Sequence, residues 1–290
     1  MDTVSEADMA GSLGELGGIS IVHRYNSIEE QSAMIASIDE NTLVGAAVGV
    51  SGDFADRAVS AVAAGAKVIC IDVAHGHHIL MKKAIKKIRE VLPNTHIMAG
   101  NVATLEGFND LADWGADSIR CNIGGGSICT TRVQTGHGVP GLETIFQCAK
   151  SDRDAKIIAD GGIKNSGDIV KALAAGADAV MLGSLLAGTD CSPGTIFKTE
   201  SGELRKTYRG MASAAAQKDW RGRVASCEGV SSSVPYRGKL ADVVKELERG
   251  IRSGLSYSGA RSVKELQAKA QWLQQSSASA TESSAHIKLR

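Results

Sequence analysis

The chain has 290 residues, 43% of them hydrophobic and 22% charged, so it can bury a sizeable core as one large domain or two ordinary ones. Its 32 basic and 32 acidic residues cancel, which argues against the basic field of a nucleic-acid binder. The 33 glycines, four prolines and 4% aromatic residues suit an α/β protein with many tight turns and exclude a collagen-like chain.

Cysteine usage and the N-terminal sequence predict a cytoplasmic protein. The six cysteines include no Cys-x-x-Cys pair, which is typical of reduced thiols in the cytosol. The first residues, MDTVSEADMAGSLGEL, carry acidic groups where a signal peptide has a basic start and an apolar block. No apolar stretch approaches the roughly 18 residues of a membrane span. We therefore expect neither export nor membrane insertion.

Seven short apolar runs recur along the chain and predict buried parallel strands. Each run is too short for a helix and too continuously apolar for a strand with one face in solvent. Helical patterns separate the runs, and in one of them Ser166 is the expected N-cap and Gly176 the expected end. The runs are GGISIVH from residue 17, LVGAAVGV from 43, KVICIDVAHG from 67, HIMAGNVA from 96, DSIRCNIGGG from 117, KIIADGGI from 156 and DAVMLGSLLAG from 178.

This alternation of strands and helices predicts a (β/α) barrel. The strand starts lie roughly 20 to 40 residues apart, which is the spacing of strand-helix units in a barrel. A doubly wound sheet is the alternative, but seven units with polar or glycine-rich strand ends throughout favour the barrel. Barrel enzymes carry their chemistry where the strands end at their carboxyl side, so the candidate residues are those that follow each strand.

The loop GGGSICTTR, residues 124–132, is the most informative strand end. Its glycine N–H groups are free to close on a phosphate, and Ser127 adds a hydroxyl. Cys129 lies beside them as a candidate nucleophile, next to Thr130 and Thr131. The alternative is a flexible glycine loop that carries an incidental buried cysteine.

The ends of the last two strands predict a nucleotide site. ADGGI at 159–163 and MLGSLLAG at 181–188 lie where barrel enzymes often bind phosphate. Asp160 is suited to accept hydrogen bonds from two ribose hydroxyls. Turn glycines and a helix cap are the alternative, which explains the glycines better than the aspartate.

Histidines cluster after Asp72, in the sequence HGHH at 75–78. A metal site is disfavoured, because His77 and His78 are neighbours that point apart and no second cluster completes a tetrahedral shell. We therefore expect a polar strand end that contacts a ribose.

Residues 208–238, YRGMASAAAQKDWRGRVASCEGVSSSVPYRG, lie before the final helix and form a segment long enough to be a functional lid, which includes Tyr208 and Glu228 with Gly229. A solvated rim is the alternative for its basic and aromatic residues, which are Lys218, Trp220, Arg221 and Arg223. The small polar stretch SSASATESSA near the end predicts a disordered tail over 274–290, after one catalytic domain over 1–273.

Four motifs, GGGSICTTR, ADGGI, MLGSLLAGT and YRGM, resemble the IMP dehydrogenase and GMP reductase family in order and spacing, up to about residue 273. The resemblance implies a (β/α)8 TIM barrel, a homotetramer and a nicotinamide-dependent oxidoreductase of purine metabolism. In the family a first barrel strand precedes the segment that begins at Met1 here. Seven strands are therefore expected, through truncation, closure on seven strands or a strand supplied by another polypeptide.

The resemblance also implies roles for single residues. Cys129 attacks carbon 2 of a purine mononucleotide, hydride passes between that carbon and the nicotinamide, and Thr131 and Glu228 move a proton. Asp72 and Asn101 meet the nicotinamide nucleotide, and the carbonyls of Gly124 and Cys129 are candidate ligands of a monovalent cation such as K+. The nucleotide ligands implied are Ser127, Asp160, Gly162, Gly183, Ser184, Tyr208, Gly210, Met211 and Ala212.

Two absences favour GMP reductase, with NADPH as reductant, over IMP dehydrogenase with NAD. A dehydrogenase hydrolyses its covalent intermediate with a long flap that carries an Arg-Tyr pair, whereas here only Ala212 to Cys227 intervene and contain no such pair. The regulatory CBS modules of most dehydrogenases have no room between His23 and Leu43. IMP dehydrogenase and a catalytically inactive, truncated nucleotide-binding relative are the alternatives.

The chain departs from the family pattern before the cysteine. The family usually has Gly-Ile-Gly-Pro-Gly-Ser there, whereas this chain has Asn122 at the first glycine and Gly125 at the proline. The segment after YRGM is also a few residues shorter than in the reductases.

Overall fold

The computed structural model describes residues 1–225 and 228–283 and is built around a parallel sheet of seven strands. Each strand pairs with the next strand along the chain, from β1 to β7. This sequential order confirms the barrel-type prediction, because a doubly wound sheet reverses its strand order at a switch point. The strands are β1 Ser20–Val22, β2 Val44–Val48, β3 Val68–Asp72, β4 His96–Val102, β5 Ser118–Cys121, β6 Lys156–Asp160 and β7 Ala179–Met181.

Helices follow the strands and cover the outer face of the curled sheet. Local capping fixes where they begin: Ser27 and Glu30 form a reciprocal capping box on α2, and Thr104 caps α5. The helix that begins at Ser166 is capped by Asn165, not by Ser166 as predicted. The helices up to β7 are α1 Ala7–Glu15, α2 Ile28–Ala36, α3 Phe54–Ala63, α4 Ile79–Val91, α5 Leu105–Trp114, α6 Thr131–Thr135, α7 Gly141–Cys148 and α8 Ser166–Ala174.

Apolar side chains bury both faces of the sheet, which explains why the strand sequences do not alternate with polar residues. Along β3, Ile69 and Ile71 join the large core between sheet and helices. Val68 and Cys70 alternate with them and pack on the inner face with Met98 of β4. Each fully buried isoleucine contributes about 1.5–3 kcal/mol relative to an exposed one. The fold is an α/β barrel of the TIM type that lacks one strand, and in the described residues β1 and β7 each leave one edge of the sheet unpaired.

A second, smaller sheet follows the barrel strands. After α9 Ser184–Ala187, the antiparallel strands β8 Ile196–Lys198, β9 Leu204–Arg209 and β10 Ser231–Pro235 pair in the order β10-β9-β8. Helix α10 Ala214–Arg221 lies between β9 and β10. This insertion brings YRGM and the residues around Glu228 back towards the barrel strand ends.

The chain ends in helices α11 Leu240–Tyr257, α12 Val263–Lys269 and α13 Ser277–Glu282. Helix α13 lies in the stretch predicted to be a disordered tail, and none of its residues is buried. The rest of that predicted tail, 284–290, lies outside the described residues. Across the described part of the chain, no helix combines the length and apolar character needed to cross a membrane.

Candidate active site

Polar side chains at the carboxyl ends of four neighbouring strands form one hydrogen-bonded cluster. Arg120 of β5 bonds the carboxylate of Asp72 through Nη2 and lies 3.4 Å from Asp160 Oδ2 through Nη1. Asn101 of β4 donates a 2.8 Å hydrogen bond from Nδ2 to the same Asp160 Oδ2. The predicted residues Asp72, Asn101 and Asp160 therefore lie together at one end of the sheet, where barrels carry their active sites.

Arg120 supplies the positive charge of this cluster, and it was not among the predicted site residues. Its side chain is only 8% exposed, so burial acts to lower its pKa, but Cys70, Asp72 and Asp160 outweigh burial and raise the pKa above its ordinary value. Burial acts to raise the pKa of Asp72, yet Arg120 and Arg24 hold that pKa below its usual range. The only sequence signal for Arg120 is a charged residue inside an apolar strand run.

Cys129, Thr131 and Glu228 form a continuous hydrogen-bonded chain. Cys129 Sγ lies 3.1 Å from Thr131 Oγ1, and Thr131 Oγ1 donates a 2.8 Å hydrogen bond to Glu228 Oε2. Because Thr131 has a single hydroxyl proton, which it gives to Glu228, its oxygen is left to accept the thiol proton of Cys129. The three side chains predicted to be catalytic are thus arranged so that a proton can pass from thiol to carboxylate.

Backbone pairing brings Glu228 of the predicted lid segment to the loop after β5 that carries Cys129, residues 122–132, hereafter the cysteine loop. The N–H of Thr130 donates to the carbonyl of Glu228 at 2.9 Å, and Val230 donates to the carbonyl of Ile128 at 3.0 Å. Cys129 and Gly229 also form an antiparallel bridge. The main chain of Glu228 is therefore fixed beside the loop, and its side chain extends from there to Thr131.

Cys129 is the accessible thiol at the strand ends. Cys70, Cys121 and Cys148 are buried, and burial raises the pKa of Cys70 to about 11 and that of Cys121 well above its ordinary value. Cys129 is half-buried, as is Cys191, which contacts Ser12 away from this cluster. A thiol must be reachable to act as a nucleophile, so the described strand-end residues offer Cys129 for that role.

Residues predicted to bind phosphate converge on the hydroxyl of Tyr208. Ser127 Oγ lies 3.4 Å from Tyr208 OH, and a Cβ at Gly183 would lie 3.0 Å from the same oxygen. Tyr208 is 5% exposed, and burial raises its pKa, so its hydroxyl keeps its proton and can donate it. Ser184 begins α9 directly after Gly183. The cysteine loop, β9 and the end of β7 therefore come together around the Tyr208 hydroxyl.

The glycine loops after β5 and β6 touch each other through their backbones. A Cβ at Gly161 would lie 3.3 Å from the Gly126 nitrogen, and one at Gly162 would lie 3.2 Å from the Gly125 oxygen. Both Gly161 and Gly162 also have positive φ, +81° and +78°. These positions require glycine because a side chain would separate the two loops and strain the backbone.

The YRGM residues lie beside the cysteine loop. Gly210 donates its N–H to the carbonyl of Val230 at 3.1 Å, and the nearest neighbours of a Cβ at Gly210 would include Ile128 at 3.6 Å. Met211 Sδ accepts from the N–H of Asp2 at 3.3 Å, and the carbonyl of Ala212 accepts from Gln217 at 2.7 Å. The predicted base-facing residues are therefore held between the chain start, α10 and the cysteine loop.

Helix α10 of the predicted lid contacts the loop after β1. The rings of Trp220 and Tyr25 lie 5.9 Å apart, and Arg209 forms ion pairs with Asp2 and Asp219. Trp220 is therefore packed and does not belong to a purely solvated rim, whereas Arg221 and Arg223 are exposed.

The histidines after β3 have separate local partners. His77 Nε2 lies 2.9 Å from Asp110, and His78 accepts from the N–H of Leu80 at 3.1 Å at the start of α4. Within 1–225 and 228–283, no group of three or more His, Cys, Asp or Glu side chains is arranged to hold a metal ion.

Comparison with known proteins finds a family model and several relatives that cover most of this chain. A family model described as "IMP dehydrogenase / GMP reductase domain" matches residues 1–286. Inosine-5'-monophosphate dehydrogenase of Nitrosopumilus maritimus is 46% identical over 260 residues, 84% of this chain and 54% of that protein. The Aquifex aeolicus enzyme of the same name is 48% identical over 258 residues, 84% of this chain and 52% of that protein.

A third relative extends the match along the chain. Inosine-5'-monophosphate dehydrogenase of Streptococcus pyogenes is 43% identical over 298 residues, covering 98% of this chain and 60% of that protein. The chain thus spans little more than half the length of these relatives. Their shared name supports the dehydrogenase alternative better than the reductase that the two sequence absences favoured.

Proposed function

The chain belongs to the IMP dehydrogenase and GMP reductase family, and we propose that it is a nicotinamide-dependent oxidoreductase acting on carbon 2 of a purine mononucleotide. The observation that carries the proposal is the hydrogen-bonded chain from Cys129 through Thr131 to Glu228. It joins an accessible thiol to a carboxylate that can take its proton, which is the arrangement an activated cysteine nucleophile needs.

In this proposal Cys129 adds to carbon 2 of the purine and forms a sulfur-carbon bond. Thr131 accepts the thiol proton as it passes its own hydroxyl proton to Glu228, so the thiolate forms without a free proton crossing solvent. The Thr131 side chain is buried, and its distances to both partners are within hydrogen-bond reach.

The nucleotide ligands are proposed from the same end of the sheet. Ser127, Gly183, Ser184 and Tyr208 offer hydroxyl and backbone N–H donors to the 5′-phosphate, with Gly162 close to the cysteine loop. The ligands proposed for the ribose and the base are Asp160 for the ribose hydroxyls, and Gly210, Met211 and Ala212 for the base.

The cluster of Asp72, Asn101 and Arg120 fits a nicotinamide nucleotide. Asp72 is 37% exposed and offers carboxylate oxygens to ribose hydroxyls, while the buried Nε of Arg120 lacks a protein partner among the described residues. When bound, the cofactor exchanges hydride with carbon 2 of the purine. We propose that Asp72 and Asn101 hold this nucleotide and that Arg120 keeps Asp72 and Asp160 in place.

We also propose that the protein binds a monovalent cation such as K+ and forms a homotetramer. Backbone carbonyls, here those of Gly124 and Cys129, are suitable hard oxygen donors, but two oxygens do not complete a coordination shell. We therefore assign the cation no step in the reaction. Light scattering of the purified chain tests the tetramer.

Oxidation of IMP with NAD is the first candidate reaction, because relatives at 43–48% identity carry the name of that enzyme. Carbon 2 loses hydride after Cys129 has added, water then attacks the same carbon, and the sulfur-carbon bond breaks to release XMP. In this direction the Thr131–Glu228 pair takes up the thiol proton when Cys129 adds and returns it to the sulfur when the sulfur-carbon bond breaks, while the proton of the attacking water is released to solvent.

Reduction of GMP with NADPH is the second candidate, supported by the short segment between Met211 and Glu228. Only Ala212 to Cys227 intervene, with no Arg-Tyr pair to activate water. In this direction Cys129 adds to carbon 2 of GMP, and the amino group leaves as ammonia with a proton from the Glu228–Thr131 pair. Hydride then arrives, and the sulfur-carbon bond breaks to give IMP.

Absorbance at 340 nm distinguishes the two candidates. Purified protein is incubated with IMP plus NAD in one cuvette and with GMP plus NADPH in another, each with and without potassium. A rise in the first cuvette establishes IMP oxidation, and a fall in the second with release of ammonia establishes GMP reduction. Tight nucleotide binding without turnover in either cuvette would favour an inactive relative and overturn the proposal.

A further inference from the structure

Asn122 occupies an unusual position directly after β5. Its backbone φ is 132°, and it is the one non-glycine residue with a positive φ in the described part of the chain. Its side chain is nearly buried, at 4% exposure for the residue. Because L residues rarely adopt this backbone conformation, compensating contacts must hold Asn122 in it.

Those contacts use every polar group of Asn122 and join three strand ends. Its N–H donates to the carbonyl of Val102 at 2.8 Å, and its own carbonyl accepts from Asn101 Nδ2 at 2.8 Å. Its side-chain Nδ2 donates to the carbonyl of Asp160 at 2.9 Å. Asn122 thus attaches the start of the cysteine loop to the ends of β4 and β6.

Arg132, at the other end of the loop, fixes the orientation of the Asn122 carboxamide. Nη2 of Arg132 donates to Asn122 Oδ1 at 3.0 Å and to the carbonyl of Val139 at 2.6 Å, while Nε donates to the carbonyl of Ile123 at 3.0 Å. The loop that carries Ser127 and Cys129 is therefore held at both ends through the Asn122–Arg132 contact.

The carboxamide of Asn122 also fills the space beside Gly125. A Cβ at Gly125 would lie 1.9 Å from Asn122 Nδ2 and 2.6 Å from its Cγ, which is far inside any real contact. The φ of Gly125 is outside the left-handed region, so its backbone would accept other residues. Residue 125 must therefore be glycine because the Asn122 carboxamide fills the space that a side chain would need. Asn122 and Gly125 are also the two positions at which this loop departs from the family pattern, so both departures belong to one contact.

We infer that Asn122 is a positioning residue that holds Ser127 and Cys129 against the end of β6, and that Asn122 and Gly125 form a coupled pair in which each residue dictates the other. This inference rests on the proposed function for its link to turnover, but the contact itself does not depend on it. Asn122 acts through the loop and is not assigned a contact with substrate.

The inference is tested by comparing the effect of Gly125→Ala on kcat when residue 122 is asparagine with its effect when residue 122 is glycine. Gly125→Ala alone is expected to lower kcat by about 10- to 100-fold, because it forces the loop away and misplaces Cys129. In the double variant Asn122→Gly/Gly125→Ala the new methyl group has room, so kcat should exceed that of Gly125→Ala. Gly11→Ala is the matched control, since a Cβ there meets nothing within 4 Å. Near-normal kcat in Gly125→Ala, or losses that simply multiply in the double variant, would overturn the inference.

A second measurement is independent of turnover. Each variant is treated with iodoacetamide, and the alkylation rates of Cys129 and Cys191 are followed by peptide mass spectrometry over a range of pH. Gly125→Ala should change the rate and pH profile of Cys129 but not of Cys191, and the double variant should return Cys129 towards the original rate. Equal changes at both thiols would indicate general destabilisation and contradict a positioning role. If no variant turns over substrate yet this pattern holds, the proposed function fails and the inference stands.

Discussion

Thr131 donates a 2.8 Å hydrogen bond to the carboxylate of Glu228, although 97 residues separate them in the chain. Thr131 lies at the start of α6, near the end of the cysteine loop, while Glu228 lies in the insertion that follows β9. The contact therefore joins the predicted lid segment to the loop that carries Cys129, and in the proposed mechanism it gives the thiol proton of Cys129 a destination.

Removing the carboxylate should impair proton transfer and leave nucleotide binding largely unchanged. We expect Glu228→Gln to lower kcat by about 100-fold or more and to remove one limb of its pH profile, since general acid-base catalysis contributes at least that much. Thr131→Val should give a similar loss because it interrupts the same path. The check is kcat and KM against pH, with Glu248→Gln on α11 as control. A Glu228→Gln enzyme with the original pH profile would exclude the relay.

Tyr208 should contribute mainly to binding of the nucleotide phosphate. Its buried hydroxyl lies 3.4 Å from Ser127, and Tyr208→Phe removes that donor while it keeps the ring. Loss of a hydrogen bond to a charged group costs about 1.5–3 kcal/mol, so KM for the nucleotide should rise by about 10-fold or more with little change in kcat. Tyr257, which is 95% exposed, provides the control Tyr257→Phe. An unchanged KM in Tyr208→Phe would place the phosphate elsewhere.

Asp72 should stabilise the fold only where it is ionised. Its pKa is held below the ordinary 3.8 by Arg120 and Arg24 in spite of burial, so its contribution is present above about pH 4 and disappears as pH falls through the lowered value. Asp72→Asn should therefore reduce the free energy of unfolding near neutral pH by about 1 kcal/mol, a modest figure because the carboxylate is partly solvated.

Urea unfolding at several pH values measures this difference. The gap between the original chain and Asp72→Asn should be constant from pH 7 to about pH 5 and should narrow below pH 4. Asp154→Asn removes an exposed carboxylate and should change stability less at neutral pH. A gap that widens as the pH falls would contradict the ion pair with Arg120.

Periodic features of the chain could be predicted from the sequence, and long-range contacts could not. The seven strands were visible because both faces of the sheet are apolar, which leaves continuous runs such as that of β3. Asn165 was missed as a helix cap in favour of its neighbour Ser166, because either residue type suits the position.

Arg120 and the Asn122–Gly125 contact illustrate the limit. Arg120 lies in a strand sequence that otherwise reads as core, and only the folded sheet shows the carboxylates of Asp72 and Asp160 on either side of it. The sequence alone does not explain why residue 125 is glycine, because the reason is the Asn122 carboxamide that occupies the space beside it. These contacts join residues on different strands and loops, so they cannot be read from residue type and spacing along the chain.

The covalent role of Cys129 is tested most directly by turnover of Cys129→Ala beside the original chain and Cys191→Ala, with the 340 nm assay run on both nucleotide pairs. The original chain and Cys191→Ala should turn over one pair. Cys129→Ala should turn over neither pair but should still bind the nucleotide in calorimetry. Turnover that survives in Cys129→Ala would contradict the covalent role of that thiol and, with it, the proposed mechanism.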